Sequence, residues 1–192
     1  MLRSLYEWTM AQAARPHALW ILAVVSFIES SVFPIPPDVL LIPLVLARRE
    51  EAFKIAAICT AASVAGGLLG YGIGLFLFEA VGQPVLGLYG YAEKFQEFQG
   101  LYNEWGAWIV FMAGLTPFPY KVITIASGVT SLDLGVFMTA SVLARGLRFF
   151  IVAALLWYWG APIRLFIDRN LGWLSVLFFV LLLGGFAALK ML

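Results

Sequence analysis

The sequence predicts an all-α polytopic membrane protein, an inverted repeat of two opposed re-entrant helical hairpins, each followed by a transmembrane helix, plus a C-terminal transmembrane helix. Three observations predict this fold: an apolar composition, a proline motif that occurs twice, and loops whose charges separate by sign. Hydrophobic residues make up 62% of the 192 residues and charged residues only 12%, whereas a typical soluble domain is about 25% charged. The composition therefore indicates a single membrane domain.

Several function classes are disfavoured by what the sequence lacks. The formal net charge of +1 argues against nucleic-acid binding. Cys59 is the single cysteine, so a disulfide or a cysteine metal site is not expected. No HExxH or GxSxG motif occurs, and Ser30 and Ser31 have no nearby base other than Glu29. We therefore expect no enzyme activity, no catalytic residue, no cofactor and no metal.

The first half of the chain contains two apolar runs that are too short to span a bilayer. Residues 1–16 are predicted to form an interfacial segment. The apolar runs that follow are separated by Pro34 and Pro36, and neither reaches the roughly 20 residues that a spanning helix needs. We therefore predict a re-entrant hairpin over 17–47 with these prolines at its tip, followed by a transmembrane helix over 55–78.

The second half follows the same plan. We predict an amphipathic surface segment, a second re-entrant hairpin with Pro117 and Pro119 at its tip, a transmembrane helix, a loop over 161–170 and a last transmembrane helix. The four helical elements are residues 79–105, 106–130, 134–159 and 171–191.

The two hairpins carry matching sequences. VFPIPPDVLLIPLVLA (32–47) aligns with LTPFPYKVITIASGVT (115–130) at a constant offset, so that both Pro-x-Pro pairs coincide and Asp38 coincides with Lys121. A motif in equivalent positions of two halves is typical of inverted-repeat transporters. We therefore expect both tips near the bilayer midplane, with Asp38 paired with Lys121 across the repeat.

Loop charges favour hairpins that enter from opposite faces. With two hairpins, most basic loop residues fall on one side, in keeping with the positive-inside rule. These are Arg3, Arg15, Arg48, Arg49, Lys54, Arg164 and Arg169. The other side receives mostly acidic residues: Glu79, Glu93, Glu97, Glu104 and Asp133, with Lys94 and Lys190.

Five charged residues lie in the predicted membrane region. A charge at the bilayer centre costs at least about 2.5–3.5 kcal/mol, so these residues need partners. We expect Lys121, Arg145 and Arg148 to bind substrate, because such cations suit phosphate oxygens. Glu29 and Asp38 are expected to couple to protons, because burial favours the neutral form of a carboxyl group. The alternative is a purely structural cluster of ion pairs.

Glycines on one helix predict close packing. Gly66, Gly70 and Gly74 recur every four residues, and small residues at this spacing let helices approach closely in lipid. We expect this stripe to seat a hairpin.

Three segments resemble the DedA family, bacterial relatives of eukaryotic proteins with the VTT, or SNARE-associated, domain. These segments are ESSVFPIPPDVLLIP, GLTPFPYKVITIASG and ASVLARGLRFFIVAALLWYWG. The resemblance covers about residues 20–160 and is greatest to the shorter bacterial branch. It implies a multi-pass protein of the bacterial inner membrane that moves lipids between leaflets, with undecaprenyl phosphate or phospholipid as cargo and dependence on the proton-motive force.

The resemblance also implies site residues. Glu29 and Asp38 match the acidic pair of the family, and Lys121 and Arg148 match its basic positions. Leu115 stands in a region where many members carry arginine, and Lys121 stands where arginine is often found. Because lysine cannot form a bidentate fork to phosphate, we expect a different substrate or affinity.

The function expected from the sequence is thus a flippase or scramblase-like lipid transporter. Its partners would be membrane lipids with an anionic phosphate headgroup, and protons, with no nucleic acid; homo-oligomer formation is left open. Two alternatives remain: a proton-coupled transporter of a small soluble ion or metabolite, and a non-transporting protein of membrane homeostasis.

Overall fold

The computed structural model describes residues 17–32, 36–116 and 118–189, and these residues form seven α-helices and no β-strand. In chain order the helices are α1 Ala18–Ser31, α2 Asp38–Ala47, α3 Ala52–Leu77, α4 Gln83–Tyr89, α5 Ala92–Leu115, α6 Tyr120–Val129 and α7 Leu134–Leu189. A 3₁₀ turn, Arg49–Glu51, precedes α3, and a π turn, Phe78–Gly82, joins α3 to α4. The all-helical prediction is confirmed.

Helix length separates two candidate spans from three shorter apolar helices. The stretches Arg49–Leu88 (40 residues) and Leu134–Gly160 (27 residues) are long and apolar enough to cross a membrane. Helices α1, α2 and α6 have 14, 10 and 10 residues. At about 1.5 Å per residue they are roughly 21 or 15 Å long, less than the hydrocarbon core of about 30 Å.

Prolines separate the short helices from their neighbours. Helix α2 begins directly after Pro36 and Pro37, and α6 begins directly after Pro119. Proline has no N–H and disfavours helix at the residue before it, so the chain breaks at these points. Pro34 and Pro117, the other two predicted tip residues, lie outside the described residues.

Helix α1 runs parallel to the first half of α3. Ser26 contacts Cys59 at 3.1 Å (Oγ to Sγ), and one turn further on Ser30 contacts Ser63 at 2.7 Å (Oγ to Oγ). The start of α1, the end of α2 and the start of α3 share one apolar core, whose members include Ala18, Leu22, Leu44, Val45, Ala52 and Ile55. Helix α2 therefore returns the chain to the end of the molecule at which α1 begins.

Helices α5 and α6 make the corresponding return at the other end of the molecule. The Tyr102 hydroxyl lies 3.0 Å from Ser127 Oγ, and the side-chain amides of Gln99 and Asn103 donate to the Thr130 carbonyl. The start of α5 thus lies beside the end of α6, and the two helices are antiparallel. Helix α6 runs along the second half of α3, where a Cβ added at Gly128 would collide with the Tyr71 carbonyl.

Helix α7 runs antiparallel to α3. The Tyr71 and Phe137 rings are in contact (centroids 5.2 Å apart), Arg145 contacts Ser63, and Phe53 contacts Trp157 (5.9 Å). These contacts place Ser63 of α3 and Arg145 of α7 at one level. At this level α1 and α5 end, and α2 and α6 begin.

The predicted glycine stripe lies at the places where helices approach α3. A Cβ at Gly66 would collide with the Phe27 carbonyl of α1, and one at Gly70 with the Thr124 hydroxyl of α6. At Gly74 the obstacle is the Ile125 carbonyl of α6. The stripe thus contacts both half-length helices, α1 and α6, whereas a single hairpin was expected to seat on it.

Two predicted element boundaries differ from the structure. Helix α5 continues across the boundary expected between 105 and 106. The loop expected over 161–170 is helical, and non-helical backbone occurs instead at Trp159 (φ −112°, ψ 25°). Pro162 explains this kink, because it cannot donate to the Tyr158 carbonyl four residues earlier. Residues 1–16, predicted as interfacial, lie outside the described residues.

Candidate functional site

A polar site lies in the middle of the molecule, where the four helices α1, α2, α5 and α6 end or begin beside α3 and α7. The residues that the sequence singled out for binding or proton coupling all lie here: Glu29, Asp38, Lys121, Arg145 and Arg148. Four of these residues form two ion pairs, Arg145 with Glu29 and Arg148 with Asp38. Lys121 instead donates a hydrogen bond to a carbonyl group at the end of α1.

Arg145 belongs to a closed ring of four hydrogen bonds, which we call the Arg145 ring. Its Nε donates to Ser63 Oγ (2.6 Å), and its Nη2 donates to Glu29 Oε2 (2.8 Å). Ser63 Oγ and Ser30 Oγ lie 2.7 Å apart, and Ser30 Oγ donates to Glu29 Oε2 (3.1 Å). Helices α1, α3 and α7 thus each contribute to the ring.

The direction of every hydrogen bond in the ring follows from its two charged groups, the guanidinium group of Arg145 and the carboxylate of Glu29. A guanidinium group only donates and an ionised carboxylate only accepts. Ser30 gives its proton to Glu29, so it can only accept from Ser63. Ser63 therefore accepts from Arg145 and donates to Ser30, and both hydroxyls point towards the carboxylate.

Arg145 is held in an apolar cage. Its Cζ lies 4.8 Å from the ring centroid of Tyr120 and 4.7 Å from that of Phe149, distances at which a guanidinium group interacts favourably with an aromatic face. The side chain is 3% exposed, and that of Glu29 is 12% exposed. Within the described residues, Nη1 of Arg145 and Oε1 of Glu29 have no hydrogen-bond partner.

Arg148 joins the two proline breaks. Its Nη2 donates to Asp38 Oδ2 (2.7 Å) at the first residue of α2, and its Nη1 donates to the Thr116 carbonyl (2.6 Å) just after α5. The side chains of Arg148 and Asp38 are 19% and 21% exposed. Both contacts complement helix dipoles, because an acid lies at a helix N-terminus and a cation at a C-terminus.

Lys121 lies on the more open side of the site. It is half-buried, and its Nζ donates to the Val32 carbonyl (3.3 Å) at the end of α1. The expected pairing of Asp38 with Lys121 is wrong, because Asp38 pairs with Arg148. The reason is geometric: α2 runs along α7, whereas α6 runs along α3.

Four contributors to the site were not assigned to it from the sequence: Ser30, Ser63, Tyr120 and Phe149. Apolar helices that contain single serines carry no pattern that indicates which hydroxyls meet. The spacing offers one signal in retrospect, since Ser26–Cys59 and Ser30–Ser63 share the same separation of 33 positions.

Metal-ligand clusters do not occur in the part of the chain that the structure describes, where no three His, Cys, Asp or Glu side chains come together. The functional groups at the site are two guanidinium groups, one ammonium group, two carboxylates and two hydroxyls. Guanidinium and ammonium groups can donate hydrogen bonds to oxyanions, and carboxylates can accept protons.

Comparison with known proteins places most of the chain in one family. The family model of the VTT domain matches residues 35–158. An uncharacterized protein of Haemophilus influenzae is 38% identical over 152 residues, which are 79% of each chain. An uncharacterized protein of Histophilus somni is 36% identical over 152 residues, again 79% of each chain. No solved structure matches this chain.

Proposed function

Because the chain belongs to the VTT-domain family, the domain of the DedA proteins, we propose that it moves a phosphate-bearing lipid between the two leaflets of a membrane. The cargo class is a lipid such as undecaprenyl phosphate or a phospholipid. The protein would be multi-pass, reside in the bacterial inner membrane and use protons as its coupling ion. Homo-oligomers are compatible with this function.

A membrane setting is supported by which residues are buried. The interior includes small hydroxyl residues at helix contacts, among them Ser26, Ser30, Ser63, Thr124, Ser127 and Ser141. Large apolar side chains face outwards, among them Trp20, Phe76, Trp105, Trp108, Leu143 and Ile151. Small residues at helix contacts and apolar residues outside are expected when lipid surrounds the protein.

In this proposal α1–α2 and α5–α6 are re-entrant hairpins that enter from opposite faces as an inverted repeat. Support comes from the shortness of α1, α2 and α6, and from the return of each pair to the end at which it starts. Broken backbone at membrane depth is tolerated where protein or a cavity covers it. Here Arg148 and Lys121 donate to carbonyls at the ends of α5 and α1.

The phosphate would bind beside Arg145, Arg148 and Lys121. Arg145 has an unpartnered Nη1 within the described residues, and guanidinium donors match phosphate oxygens. Helix α6 adds positive potential, because its N-terminus carries Lys121 and no acid in its first turn. Glu29 and Asp38 neutralise the arginines when no phosphate is bound and are the candidate proton carriers.

One observation favours a lipid over a soluble ion. The residues beside the site on its open side are apolar and exposed: Val32 is 62%, Val39 52% and Val122 38% exposed. Each adjoins a polar contact, since Val32 gives its carbonyl to Lys121, Val39 follows Asp38 and Val122 follows Lys121. A headgroup bound there would leave its acyl chains against this apolar rim.

The test is lipid translocation in proteoliposomes that contain the purified protein. A fluorescent phosphatidic acid is placed in both leaflets, and dithionite added outside measures how fast inner-leaflet probe becomes accessible. We expect the wild type to accelerate translocation, and Arg148→Ala and Arg145→Ala to remove most of the acceleration. Lys54→Ala is the matched control, because it removes an exposed cation that pairs with Glu51 outside the site.

Uptake of labelled inorganic phosphate into the same vesicles separates the rival function. Phosphate uptake without lipid translocation would identify a transporter of soluble ions and overturn the lipid proposal. Equal rates of lipid translocation by wild type and Arg148→Ala would contradict the assignment of Arg148 to the phosphate-binding site.

A further inference from the structure

An apolar groove lies on the outside of the molecule, between the start of α3 and the turns of α7 that lead to its kink. Its lining consists of Phe53 of α3 and six residues of α7 between Ile151 and Trp159, and its volume is about 350 Å³. This volume is at the lower end of the range for small-molecule sites, about 300–1,000 Å³, and suits one apolar chain. The lining is open to the surroundings, since Phe53 and Trp157 are each 45% exposed and Tyr158 is 64% exposed.

One cation lies at the end of the groove nearest the kink. Arg49 donates hydrogen bonds to the carbonyls of Trp157 and Tyr158, which both belong to the groove lining. These bonds do not neutralise the guanidinium charge, because a carbonyl group has no net charge. Within the described residues no carboxylate pairs with Arg49. Only two of its five N–H donors are used, so the guanidinium group can also bind an anion.

The other cations of this turn already have an acidic neighbour. Lys54 pairs with Glu51 at 3.1 Å, and Arg48 lies 3.9 Å from the same carboxylate group. The turn has three cations, Arg48, Arg49 and Lys54, against the two acids Glu50 and Glu51, so one positive charge is in excess. The pairing of the neighbours leaves this excess at Arg49, beside the groove.

The groove lies at the depth of the headgroup boundary if the bilayer is centred on the polar site. Trp157 follows Arg145 by 12 positions, about 18 Å along a helix, whereas half of the hydrocarbon core is about 15 Å thick. Trp, Tyr and basic residues are enriched at this boundary, where Trp157, Tyr158 and Arg49 would lie. The other end of the groove, at Ile151, is only about 9 Å from the level of Arg145 and would lie among acyl chains.

We propose that the groove holds one acyl chain of an anionic phospholipid from the surrounding leaflet, and that Arg49 binds the phosphate of this lipid. The guanidinium fork matches phosphate oxygens, and the apolar lining contacts the chain that extends from the headgroup towards the bilayer centre. The lipid stays bound at the kink of α7, in a place separate from the polar site around Arg148. This inference goes beyond the proposed transport and rests only on the membrane setting.

The experiment measures, by native mass spectrometry, which lipids remain bound to the purified full chain in detergent. The probes are dioleoyl phosphatidylglycerol and dioleoyl phosphatidylcholine, which have the same acyl chains but differ in net charge. We expect one phosphatidylglycerol molecule to bind more tightly than phosphatidylcholine, and Arg49→Gln to weaken its binding about fivefold. Lys54→Ala is the matched control, because it changes the net charge equally but removes a cation that pairs with Glu51.

A second pair of variants changes the groove and leaves Arg49 in place. Ala154→Trp adds a large side chain to the groove lining, whereas Ala107→Trp adds the same side chain at an exposed position of α5. We expect Ala154→Trp to weaken phosphatidylglycerol binding several-fold and Ala107→Trp to leave it unchanged. Arg148→Ala, which changes the polar site, should also leave this lipid bound.

Each part of the inference has an outcome that overturns it. Equal binding by Arg49→Gln and Lys54→Ala, or equal affinity of the wild type for the two lipids, would contradict recognition of the headgroup by Arg49. Equal binding by the two tryptophan variants, or loss of the lipid in Arg148→Ala alone, would exclude the groove as its place. A wild-type dimer that Ala154→Trp dissociates would show that a second copy of the chain fills the groove.

The groove and the proposed function can fail separately. Lipid translocation in proteoliposomes tests the proposed function through Arg145 and Arg148, and lipid retention in detergent tests the groove through Arg49 and Ala154. Translocation without a retained lipid would overturn the groove alone, and a retained lipid without translocation would overturn the proposed function alone.

Discussion

Arg148 and Asp38 lie 110 positions apart in the chain and form an ion pair of 2.7 Å. The pair joins α7 to the first residue of α2, and the same guanidinium group reaches the Thr116 carbonyl at the end of α5. A single side chain therefore holds the broken ends of both helical pairs.

The first prediction concerns the energy of this pair. Arg148→Ala, Asp38→Ala and the double variant form a thermodynamic cycle, in which we expect a coupling free energy of about 0.5–3 kcal/mol. Arg148→Ala alone should destabilise more than Asp38→Ala, because it also leaves the Thr116 carbonyl without its donor. Reversible unfolding in detergent measures these values, and additive single effects would show that the pair contributes no coupling.

The second prediction concerns the glycines of α3. Gly66→Ala should strongly reduce the yield of folded protein, because its Cβ would collide with the Phe27 backbone. Gly72 is the matched control on the same helix, since a Cβ there meets nothing within 4 Å. Gly72→Ala should be neutral or stabilise by about 0.5–1 kcal/mol. Size-exclusion chromatography and thermal unfolding in detergent distinguish the two, and equal behaviour would contradict the close approach of α1.

The third prediction concerns the kink in α7. Arg49 donates from Nε to the Trp157 carbonyl and from Nη2 to the Tyr158 carbonyl (2.9 Å). The Tyr158 carbonyl receives no helical hydrogen bond from Pro162, because proline has no N–H. Arg49→Ala should destabilise the protein by about 0.5–1.5 kcal/mol, the net value of a typical hydrogen bond, whereas Lys54→Ala, which removes a cation that pairs only with Glu51, should change the thermal midpoint little. A small effect of Arg49→Ala would show that water replaces the guanidinium group.

The fourth prediction concerns two residues with left-handed backbone. Ser131 has φ 52° in the turn between α6 and α7, and Gly90 has φ 69° after α4. A side chain makes this conformation less favourable by about 1–2 kcal/mol. Ser131→Gly should therefore raise the thermal midpoint and Gly90→Ala should lower it. A fall of the midpoint in Ser131→Gly would mean that the added chain entropy of glycine outweighs the relieved strain.

Part of the site could be predicted because charged residues are conspicuous in apolar segments. Glu29, Asp38, Lys121, Arg145 and Arg148 stand out in apolar segments, and the cost of burying charge requires partners for them. Their pairing could not be predicted in the same way. The alignment of the repeats placed Asp38 opposite Lys121, but residues that correspond in a repeat do not have to be in contact.

The helix boundaries likewise include some that could be predicted from the sequence and some that could not. Prolines act on the backbone within a few residues, so the breaks near Pro36 and Pro119 could be predicted locally. The uninterrupted α5 could not, because the polar residues Gln99 and Asn103 are satisfied by the distant Thr130 carbonyl. The polar residues that indicated a surface segment instead form hydrogen bonds between α5 and the end of α6.

The sequence by itself determined the helical class, the two breaks and the need to neutralise five charges, because these depend on composition and on neighbouring residues. Only the tertiary structure decided that Arg145 meets Glu29 through Ser63 and Ser30. The participants lie on three helices and up to 116 positions apart. They meet only after packing against glycine positions such as Gly66 brings α1 onto α3 and α7 places its arginines at that level.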